Sequence, residues 1–315
     1  VEEILEHKPK IVLISTYIWN ATDVAEIVKY IKLISPDTIV ALGGPEISHL
    51  PHRVDFEMAD YFMFGEGEIS VYNLCKNILG GIRPKDKIIH AKPVEFDKIA
   101  LPYDYYTDFD IKNRHIYIES SRGCPFTCEF CLSSIDSSMR YLPIDVFLNE
   151  IDKLWNRGAR NYKFIDRTFN LKISYAKAIL EYFLAKDEDY FLHFEVIPDN
   201  FPPELRELLK KFKAGSLQLE VGIQTLNLDV AKNINRNLKI DKIKENLAFL
   251  SKETNAHMHI DLIIGLPSET IDSLAQNLNL LYTLSSGDIQ IGIVKKLSVS
   301  TLNRHDELYG MVYIP

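Results

Sequence analysis

Residues 121–131 read Ser121-Arg122-Gly123-Cys124-Pro125-Phe126-Thr127-Cys128-Glu129-Phe130-Cys131 and contain three of the four cysteines in the chain. The three cysteines follow a C-x-x-x-C-x-x-C spacing. Thiolates are soft ligands, which select zinc, copper(I) or iron–sulfur centres over hard cations. The stretch therefore indicates a metal site and leaves open which metal it holds.

The loop supplies three clustered thiolates, whereas the common zinc and iron–sulfur sites use four protein ligands. A tetrahedral zinc site needs a fourth Cys or His nearby, and the paired spacings of zinc fingers and ribbons are missing from this sequence. Ordinary ferredoxin clusters also take four thiolates. Three cysteines can hold a [4Fe–4S] cluster whose fourth iron is open to another ligand. A structural zinc site and a cysteine cluster without function are the alternatives.

The loop resembles the cluster-binding loop of radical S-adenosylmethionine (SAM) enzymes, in which an aromatic residue such as Phe130 precedes the third cysteine. The resemblance implies that Cys124, Cys128 and Cys131 ligate a [4Fe–4S] cluster. It also implies that the SAM amino and carboxylate groups chelate the open iron. An electron then cleaves SAM to methionine and a 5′-deoxyadenosyl radical, which usually abstracts a hydrogen atom.

The composition bounds the class of protein. With 315 residues, of which 46% are hydrophobic, the chain is long enough for two domains. No apolar run could cross a bilayer, and the first residues do not form a signal peptide. Cysteines used as ligands rather than as disulfides indicate a reducing compartment, so we expect a cytoplasmic protein without a membrane partner. A formal charge of −8 argues against a broad nucleic-acid surface.

After residue 115, apolar segments that predict strands alternate with helical patterns. The six strands are predicted at Ile116–Ser120, Tyr162–Asp166, Phe191–Val196, Leu217–Gly222, His259–Ile264 and Asp288–Ile293. This repetition predicts a partial (β/α)6 barrel of the TIM type over residues 116–315. In such barrels the chemistry lies at the carboxyl ends of the strands.

Two of these strand ends resemble the coproporphyrinogen-oxidase-like branch of radical SAM enzymes: Glu195-Val196-Ile197-Pro198 and Gly222-Ile223-Gln224-Thr225. The resemblance implies that Glu195 accepts hydrogen bonds from the SAM ribose and that Gln224 lies at the same site. Asp166 stands where the family commonly has a Gly-Gly-Glu segment that receives the SAM amino group. It is therefore the candidate for that role, and a helix N-cap or an ion pair with Arg167 is the alternative.

Four further residues complete the implied SAM site. Arg236 and Asp261 are spaced along the chain as in that branch, and a guanidinium suits the SAM carboxylate or a substrate acid. The segment Ile263-Ile264-Gly265-Leu266-Pro267 resembles the family's fifth-strand turn. There Ile263 would pack on the adenine, and Gly265 would let the backbone approach it. Singly, each polar residue fits a surface or capping role, and it is their occurrence on successive strands that favours a site.

The first eighty residues also alternate strand and helix patterns. Apolar runs at 11–16, 38–42 and 60–64 predict strands, and residues 21–35 have apolar positions at helical spacing up to Pro36. The alternation predicts a parallel sheet with helices on both faces, which is a partial Rossmann-like α/β domain over residues 1–80. Residues 81–115, which carry prolines and charges, are the predicted linker.

The predicted strands of this first domain end in short polar or glycine-rich turns, where ligands bind in such sheets. The turns resemble the second half of the cobalamin-binding domain that many radical SAM enzymes carry. The resemblance implicates Ser15, Thr16, Gly43, Gly44, Gly65 and Glu66 in holding cobalamin. The glycines would let a flat ligand approach the backbone. The usual Asp-x-His-x-x-Gly loop, whose His can ligate cobalt, would precede Val1 and is not in this sequence.

Two further features have ordinary interpretations. Cys75 is predicted to pack in a helix face as a small hydrophobic residue. His257 and His259 alternate along a predicted strand, and core or edge packing is favoured over metal binding for both.

The whole pattern is similar to a branch of cobalamin-domain radical SAM proteins with an uncharacterised C-terminal extension. Because the chain starts without Met and ends close to a strand pattern, we expect a fragment that lacks both ends. The resemblance implies a [4Fe–4S] cluster, SAM and, in the full-length protein, cobalamin. It implies as partners a small-molecule substrate and an electron donor such as flavodoxin or ferredoxin.

The expected reaction is radical chemistry on an unactivated carbon, with methyl transfer through methylcobalamin. Two alternatives remain open. One is a rearrangement or oxidation without methyl transfer, and the other is an iron–sulfur electron carrier that does not cleave SAM.

Overall fold

The computed structural model describes residues 1–297 and 300–313, which divide into two compact units. The first unit is Val1–Ile99, and the second begins at Ala100. Within the described residues, no helix combines the length and the apolar character that a membrane crossing requires.

The first unit is built on a parallel sheet, whose order among the described residues is β1-β2-β3-β4. Helix α2 buries four side chains that recur every three or four residues on one face, and they pack in the same core as Val40 and Leu42. The strands are β1 (Ile11–Ser15), β2 (Ile39–Gly43), β3 (Tyr61–Phe64) and β4 (Ile88–His90). The helices are α1 (Glu2–Glu6), α2 (Ala21–Ile34) and α3 (Gly67–Leu79), with a 3₁₀ turn at Phe96–Lys98.

The second unit contains a larger parallel sheet and a short antiparallel pair. The pair is β6 (Ser121–Arg122) with β7 (Arg140–Tyr141). The strands of the large sheet are β5 (Ile116–Ile118), β8 (Asn161–Phe164), β9 (Phe191–Val196), β10 (Leu217–Gln224), β11 (His257–Ile264) and β12 (Asp288–Ile293). Within the described part of the chain their order is β5-β8-β9-β10-β11-β12, so each strand lies beside the next along the chain.

Helices separate the strands of this sheet, as a β/α repeat requires. The helices between them are α5 (Ile144–Asn156), α6 (Ile173–Leu184), α7 (Pro203–Leu209), α8 (Leu228–Asn233), α9 (Ile240–Glu253) and α10 (Ile271–Leu284). Helix α4 (Asp108–Asn113) precedes β5, and α11 (Asp306–Tyr309) follows β12. The 3₁₀ turns lie at Pro102–Tyr105, Leu132–Ile135 and Thr301–His305.

The alternation of side chains along β10 explains why the sheet has one apolar and one polar face. Leu217, Leu219, Val221 and Ile223 are buried, and the residues between them are half-buried. Of those, Glu220, Gly222 and Gln224 line a cavity. A strand turns successive side chains to opposite faces, so the apolar set enters the core and the polar set faces the cavity.

The predicted fold class, a Rossmann-like sheet followed by a partial (β/α)6 barrel, is confirmed. Each predicted barrel strand is present, with differences of a few residues at the ends. The segment 81–115 differs more from its prediction as a linker, because Ile88–His90 pairs with β3 and Asp108–Asn113 is helical. A three-residue strand is too short to produce a periodic signal in the sequence.

Candidate active site

A cavity of about 720 Å³ in the second unit is walled by the cysteine loop, the carboxyl ends of β9 and β10, β11, and the segment that follows α8. The predicted residues that line it are Cys124, Cys128, Phe130, Cys131, Glu195, Gln224, Arg236 and Asp261. The fold therefore brings most of the predicted cluster and SAM residues to one place. Asp166, Ile263 and Gly265 are not among the lining residues.

The cysteine loop follows β6, and its shape depends on Gly123. This residue has a φ of +94°, and a Cβ atom on it would lie 2.0 Å from the carbonyl oxygen of Ser138. The next residue, Cys124, donates its backbone N–H to the carbonyl oxygen of Asp136 at 2.9 Å. A side chain at position 123 would both strain the backbone and collide with the returning loop.

The cysteine side chains are free of disulfides, with Cys124 and Cys128 buried and Cys131 half-buried. Burial raises the pKa of the Cys124 thiol, and the neighbouring Cys131 and Cys128 raise it further. A bound metal would reverse this effect, because coordination deprotonates a thiol outright.

The segment from Ile234 to Arg236 holds the cysteine loop in place. The carbonyl oxygen of Ile234 accepts the backbone N–H of Glu129 at 3.1 Å. The Asn235 side-chain amide donates to the hydroxyl oxygen of Thr127 at 2.5 Å. Arg236 donates from Nη1 to the Cys128 sulfur at 3.5 Å and from Nη2 to the carbonyl oxygen of Gly222. Arg236 thus joins the cysteine loop to the end of β10.

Glu129 was not singled out in the sequence, although the structure gives it a defined position between two of the cysteines. Its side chain is buried and forms ion pairs with Arg304 and His305, the latter at 3.1 Å. Its backbone carbonyl oxygen accepts the hydroxyl of Ser300 at 2.8 Å. These partners lie more than 170 residues away in sequence, so no local spacing could have indicated the contact.

We expect Glu129→Ala to destabilise the second unit by about 1–3 kcal/mol, because it removes the buried carboxylate that pairs with Arg304 and with the buried His305 ring. Urea unfolding of the cluster-free protein measures this loss. Glu129→Gln, which keeps an acceptor oxygen of the same size, should cost less. The control is Glu181→Ala, since Glu181 is half-exposed and faces Lys177 at 3.6 Å on the surface of α6. Equal stabilities of the Glu129→Ala and Glu181→Ala proteins would contradict the assignment.

Four carboxylates and two guanidinium groups give the cavity a polar wall: Glu195, Asp199, Glu220 and Asp261, with Arg167 and Arg236. Glu195 pairs with Arg167 at 3.0 Å, and Glu220 pairs with His193 at 2.9 Å. The hydrogen bond with His193 holds the pKa of Glu220 below its usual range. Burial, with repulsion from Glu220 and Glu195, raises the pKa of Asp261 to about 7. The wall can therefore bind a ligand that carries hydroxyl, amino and carboxylate groups.

Asp166 occupies a different position from the one predicted. It is buried away from the cavity, where its carboxylate accepts the backbone N–H of Ser120 at 3.0 Å and the hydroxyl of Ser121 at 2.6 Å. The Ser120 hydroxyl donates to it as well, at 2.5 Å. Arg167, the alternative partner, pairs with Glu195 instead. The predicted role in receiving the SAM amino group is corrected: Asp166 ties the end of β8 to the segment that leads into the cysteine loop.

We expect this carboxyl group to give the protein a pH-dependent stability. Burial raises the pKa of Asp166 to about 6 from an ordinary 3.8, against the lowering effect of the serine hydrogen bonds. Because the folded form then holds a proton that the unfolded form releases, the stabilisation is lost as the pH rises from about 4 to about 6. Relative to Asp166→Asn, the native protein should lose up to about 3 kcal/mol over that interval.

Urea unfolding of both proteins at several pH values measures this difference. The control is Asp152→Asn, because hydrogen bonds from Lys186 and Tyr182 lower the pKa of Asp152 and place its titration below the interval. A constant difference between the native and Asp166→Asn proteins across the interval would refute the prediction.

Ile263 and Gly265, the predicted adenine-contacting residues, do not line the cavity; Ile263 is half-buried and Gly265 is exposed. Ile263 packs against a buried cluster that includes Ile234 and Leu266, and Phe130 of the cysteine loop packs against the same cluster. Gly265 has a φ of +85°, and a Cβ atom on it would lie 3.1 Å from the Val294 side chain. The glycine is required by its backbone conformation and by Val294. Contact with adenine stays a prediction.

In the first unit, the residues predicted to hold cobalamin lie at the carboxyl ends of β1, β2 and β3, but several serve the fold. Thr16 is fully buried. A Cβ atom on Gly44 would lie 2.6 Å from the Thr16 carbonyl oxygen, so this glycine allows a close approach of two backbone segments rather than of a ligand. The Glu66 carboxylate accepts the backbone N–H of Val94 at 2.7 Å.

The remaining members of that set are accessible. Ser15 and Gly65 are exposed, and Gly43 is half-buried. Beyond β1, the rings of Tyr17 and Trp19 stack at 4.5 Å between centroids, and the Trp19 side chain is mostly exposed. The accessible part of the predicted cobalamin surface is therefore smaller than the sequence indicated.

Two family models match the chain. The model of the radical SAM superfamily matches residues 118–281, just over half of the sequence. The model of the B12 binding domain matches residues 1–74.

Relatives and solved structures agree with these matches. The cobalamin-dependent radical SAM methyltransferase TokK of Streptomyces tokunonensis is 22% identical, as is the 2-(S-pantetheinyl)-carbapenam-3-carboxylate methyltransferase of Streptantibioticus cattleyicolor. Each match covers 98% of this chain and 50% of the relative, so the chain spans about half the length of these proteins.

The radical SAM methyltransferase TsrM from Kitasatospora setae, solved with cobalamin and a [4Fe–4S] cluster, shares the fold. Its TM-score is 0.73 at 15% identity, over 93% of this chain and 63% of that one. The family model includes the cysteine loop and strands β8 to β11, which build the cavity. With its cluster motif, its barrel and this match together, the chain belongs to the radical SAM superfamily.

Proposed function

We propose that this chain is the catalytic part of a cobalamin-dependent radical SAM methyltransferase. The observation that carries the proposal is a single cavity that joins the three cysteines of one loop to the polar ends of the barrel strands. An electron carrier needs the cysteines but has no use for Glu195, Gln224, Arg236 and Asp261 beside them. A cavity of about 720 Å³ also falls within the usual range for small-molecule sites.

The cysteine loop fits a [4Fe–4S] cluster. Its donors are soft thiols that are partly shielded from water. The cluster, when bound, supplies the electron that cleaves SAM and releases the 5′-deoxyadenosyl radical. Arg236 lies at the boundary between the thiols and the rest of the cavity, where its charge offsets that of the thiolates.

The residues of the chain bind and orient SAM in this proposal. Arg236 is a guanidinium next to the cluster loop and can pair with the SAM carboxylate. Glu195, held by Arg167 at 3.0 Å, keeps lone pairs free to accept a ribose hydroxyl. Asp261, with a pKa of about 7, can hold a proton on its carboxyl group and donate it to an acceptor on the ligand. Gln224 offers an amide at the end of β10.

Cobalamin and methyl transfer extend the proposal to the first unit. Support comes from the match of residues 1–74 to the B12 binding domain and from the accessible Ser15, Gly43 and Gly65. The printed names of the relatives describe cobalamin-dependent methyltransferases. We further propose a small-molecule substrate with an unactivated carbon, a reduced flavodoxin or ferredoxin as electron donor, and a cytoplasmic location.

The test is an anaerobic reconstitution of the cluster, followed by addition of SAM and dithionite with and without hydroxocobalamin. We expect 5′-deoxyadenosine in both cases and retention of the corrinoid on gel filtration. With a substrate present, methyl transfer consumes a second SAM and yields S-adenosylhomocysteine. An intact cluster without 5′-deoxyadenosine would overturn the radical SAM activity, and 5′-deoxyadenosine without S-adenosylhomocysteine on a proven substrate would overturn methyl transfer alone.

A further inference from the structure

We propose that His257, His259 and Asp288 form a binding site for a divalent transition-metal ion of the zinc type, separate from the cysteine loop. The three residues lie in the second unit, at the amino-terminal ends of β11 and β12. None of them lines the cavity described above. Packing at the edge of the sheet, which the sequence favoured for the two histidines, is the alternative to this proposal; His257 is exposed, and the side chain of His259 faces charged and polar partners.

The backbone brings the three side chains to one face. His257 and His259 are two residues apart on a strand, so both point to the same side. In the parallel pairing of β11 with β12, His259 lies opposite Asp288. Gly287 permits this approach, since a Cβ atom on it would lie 2.5 Å from the carbonyl oxygen of Met258. The site is therefore built into the register of the sheet.

The donor atoms have the spacing of ligands around one ion. The Nε2 atom of His257 lies 3.0 Å from Asp288 Oδ2 and 3.0 Å from Nε2 of His259. His259 Nε2 lies 3.5 Å from the same carboxylate oxygen. Tetrahedral ligands at about 2.0–2.1 Å from zinc are separated by about 3.3 Å. Two imidazoles and a carboxylate are also a donor set that zinc accepts.

Hydrogen bonds alone satisfy this triangle poorly. If both Nε2 atoms carry a proton, the 3.0 Å contact between them joins two donors. If His257 alone carries it, one N–H must serve both the carboxylate and the other ring. A cation bound to all three atoms removes this conflict, because each then contributes a lone pair.

Two glutamine side chains hold the His259 ring. Its Nδ1 atom lies 3.0 Å from the amide nitrogen of Gln218 and 2.8 Å from the amide nitrogen of Gln290. One lone pair cannot accept from two amide N–H groups, whereas Nδ1–H can donate to either amide turned over to present its oxygen. Such a hydrogen bond leaves the lone pair on Nε2, facing His257 and Asp288, as in metal-binding histidines.

The site leaves a fourth position open to water, since the His257 and Asp288 side chains are 49% and 69% exposed. Its ligands come from β11 and from β12, the edge strand of the sheet in the described residues. The bound ion would thus clip the edge strand to its neighbour. This link between the two strands does not require the open coordination position of the ion to take part in a reaction.

The test uses Co²⁺ as a spectroscopic probe on the metal-free chain, because cobalt bound to thiolates shows an intense charge-transfer band that nitrogen and oxygen ligands lack. We expect two classes of site, one with that band at the cysteines and one with ligand-field bands alone. His259→Ala should weaken the second class by more than about 100-fold and leave the first unchanged. Gln218→Ala should weaken it by about 10-fold. His7→Ala, which removes an exposed histidine elsewhere, is the control.

The same titration on the Cys124→Ala/Cys128→Ala/Cys131→Ala chain should retain only the class without the charge-transfer band. Asp288→Asn and His257→Ala change exposed side chains, so they keep the test decisive where His259→Ala fails to fold. Unchanged Co²⁺ and Zn²⁺ stoichiometry in these two variants would overturn the proposal. Because the readout does not involve SAM cleavage, its outcome is independent of the proposed enzymatic function.

Discussion

We expect Cys128→Ala to abolish both cluster assembly and SAM cleavage. Two thiolates and a methyl group cannot hold three irons of the cluster, so iron content after reconstitution should fall to background. Formation of 5′-deoxyadenosine should fall with it. Arg236 loses its sulfur partner at 3.5 Å in the same variant, which further loosens the contact between the loop and β10.

The matched control is Cys75→Ala. Cys75 is half-buried on α3 in the first unit. Its replacement should leave the iron content and the 5′-deoxyadenosine yield unchanged. Full iron loading of the Cys128→Ala chain would refute the ligand assignment, and iron loading without SAM cleavage would limit Cys128 to a role after assembly.

Gly123→Ala should damage the site almost as severely without removing a ligand. An alanine at a φ of +94° costs about 1–2 kcal/mol, and its Cβ atom would lie 2.0 Å from the Ser138 carbonyl oxygen. Backbone atoms must move to relieve that contact, which adds about 1–3 kcal/mol. Because the displaced segment carries Cys124, we expect poor iron loading as well as lower stability.

Gly158→Ala separates the cost of the backbone conformation from the cost of the contact with Ser138. Gly158 has a φ of +99°, but a Cβ atom on it would meet nothing within 4 Å. The Gly158→Ala protein should therefore lose only the stability that the backbone conformation costs, and its iron loading should be normal. Urea unfolding and iron analysis of both variants provide the measurement. Equal losses of stability in the two proteins would mean that the contact with Ser138 has no energetic weight.

The sequence was most informative where the signal is local. The cysteine spacing identified three residues of one loop, and the alternation of apolar segments predicted the six strands of the larger sheet and three of the four described strands of the first sheet. In the structure, Gln224 and Asp261, which were predicted from their strand positions, line the same cavity. Strand periodicity depends on neighbours two residues apart, which the sequence displays directly.

The failures share a different cause. Asp166 was expected at the SAM site because it ends a strand, yet Ser120 and Ser121 take its oxygens. Thr16 was expected at a ligand surface and is fully buried. In each case the sequence located the end of the strand within a few residues. The path of the adjoining loop then determined which groups contact the side chain at that strand end. Loop paths depend on contacts across the chain, which spacing does not encode.

From the sequence alone follow the α/β class, the cysteine cluster and the family resemblance, because each depends on residues close together along the chain. Only the tertiary structure decided the partners of those residues. It placed Arg304 and His305 on Glu129 and set Asp288 beside His257 and His259. The physical reason is that such contacts join distant segments, whose approach is determined by sheet register and by backbone crossings such as that at Gly287.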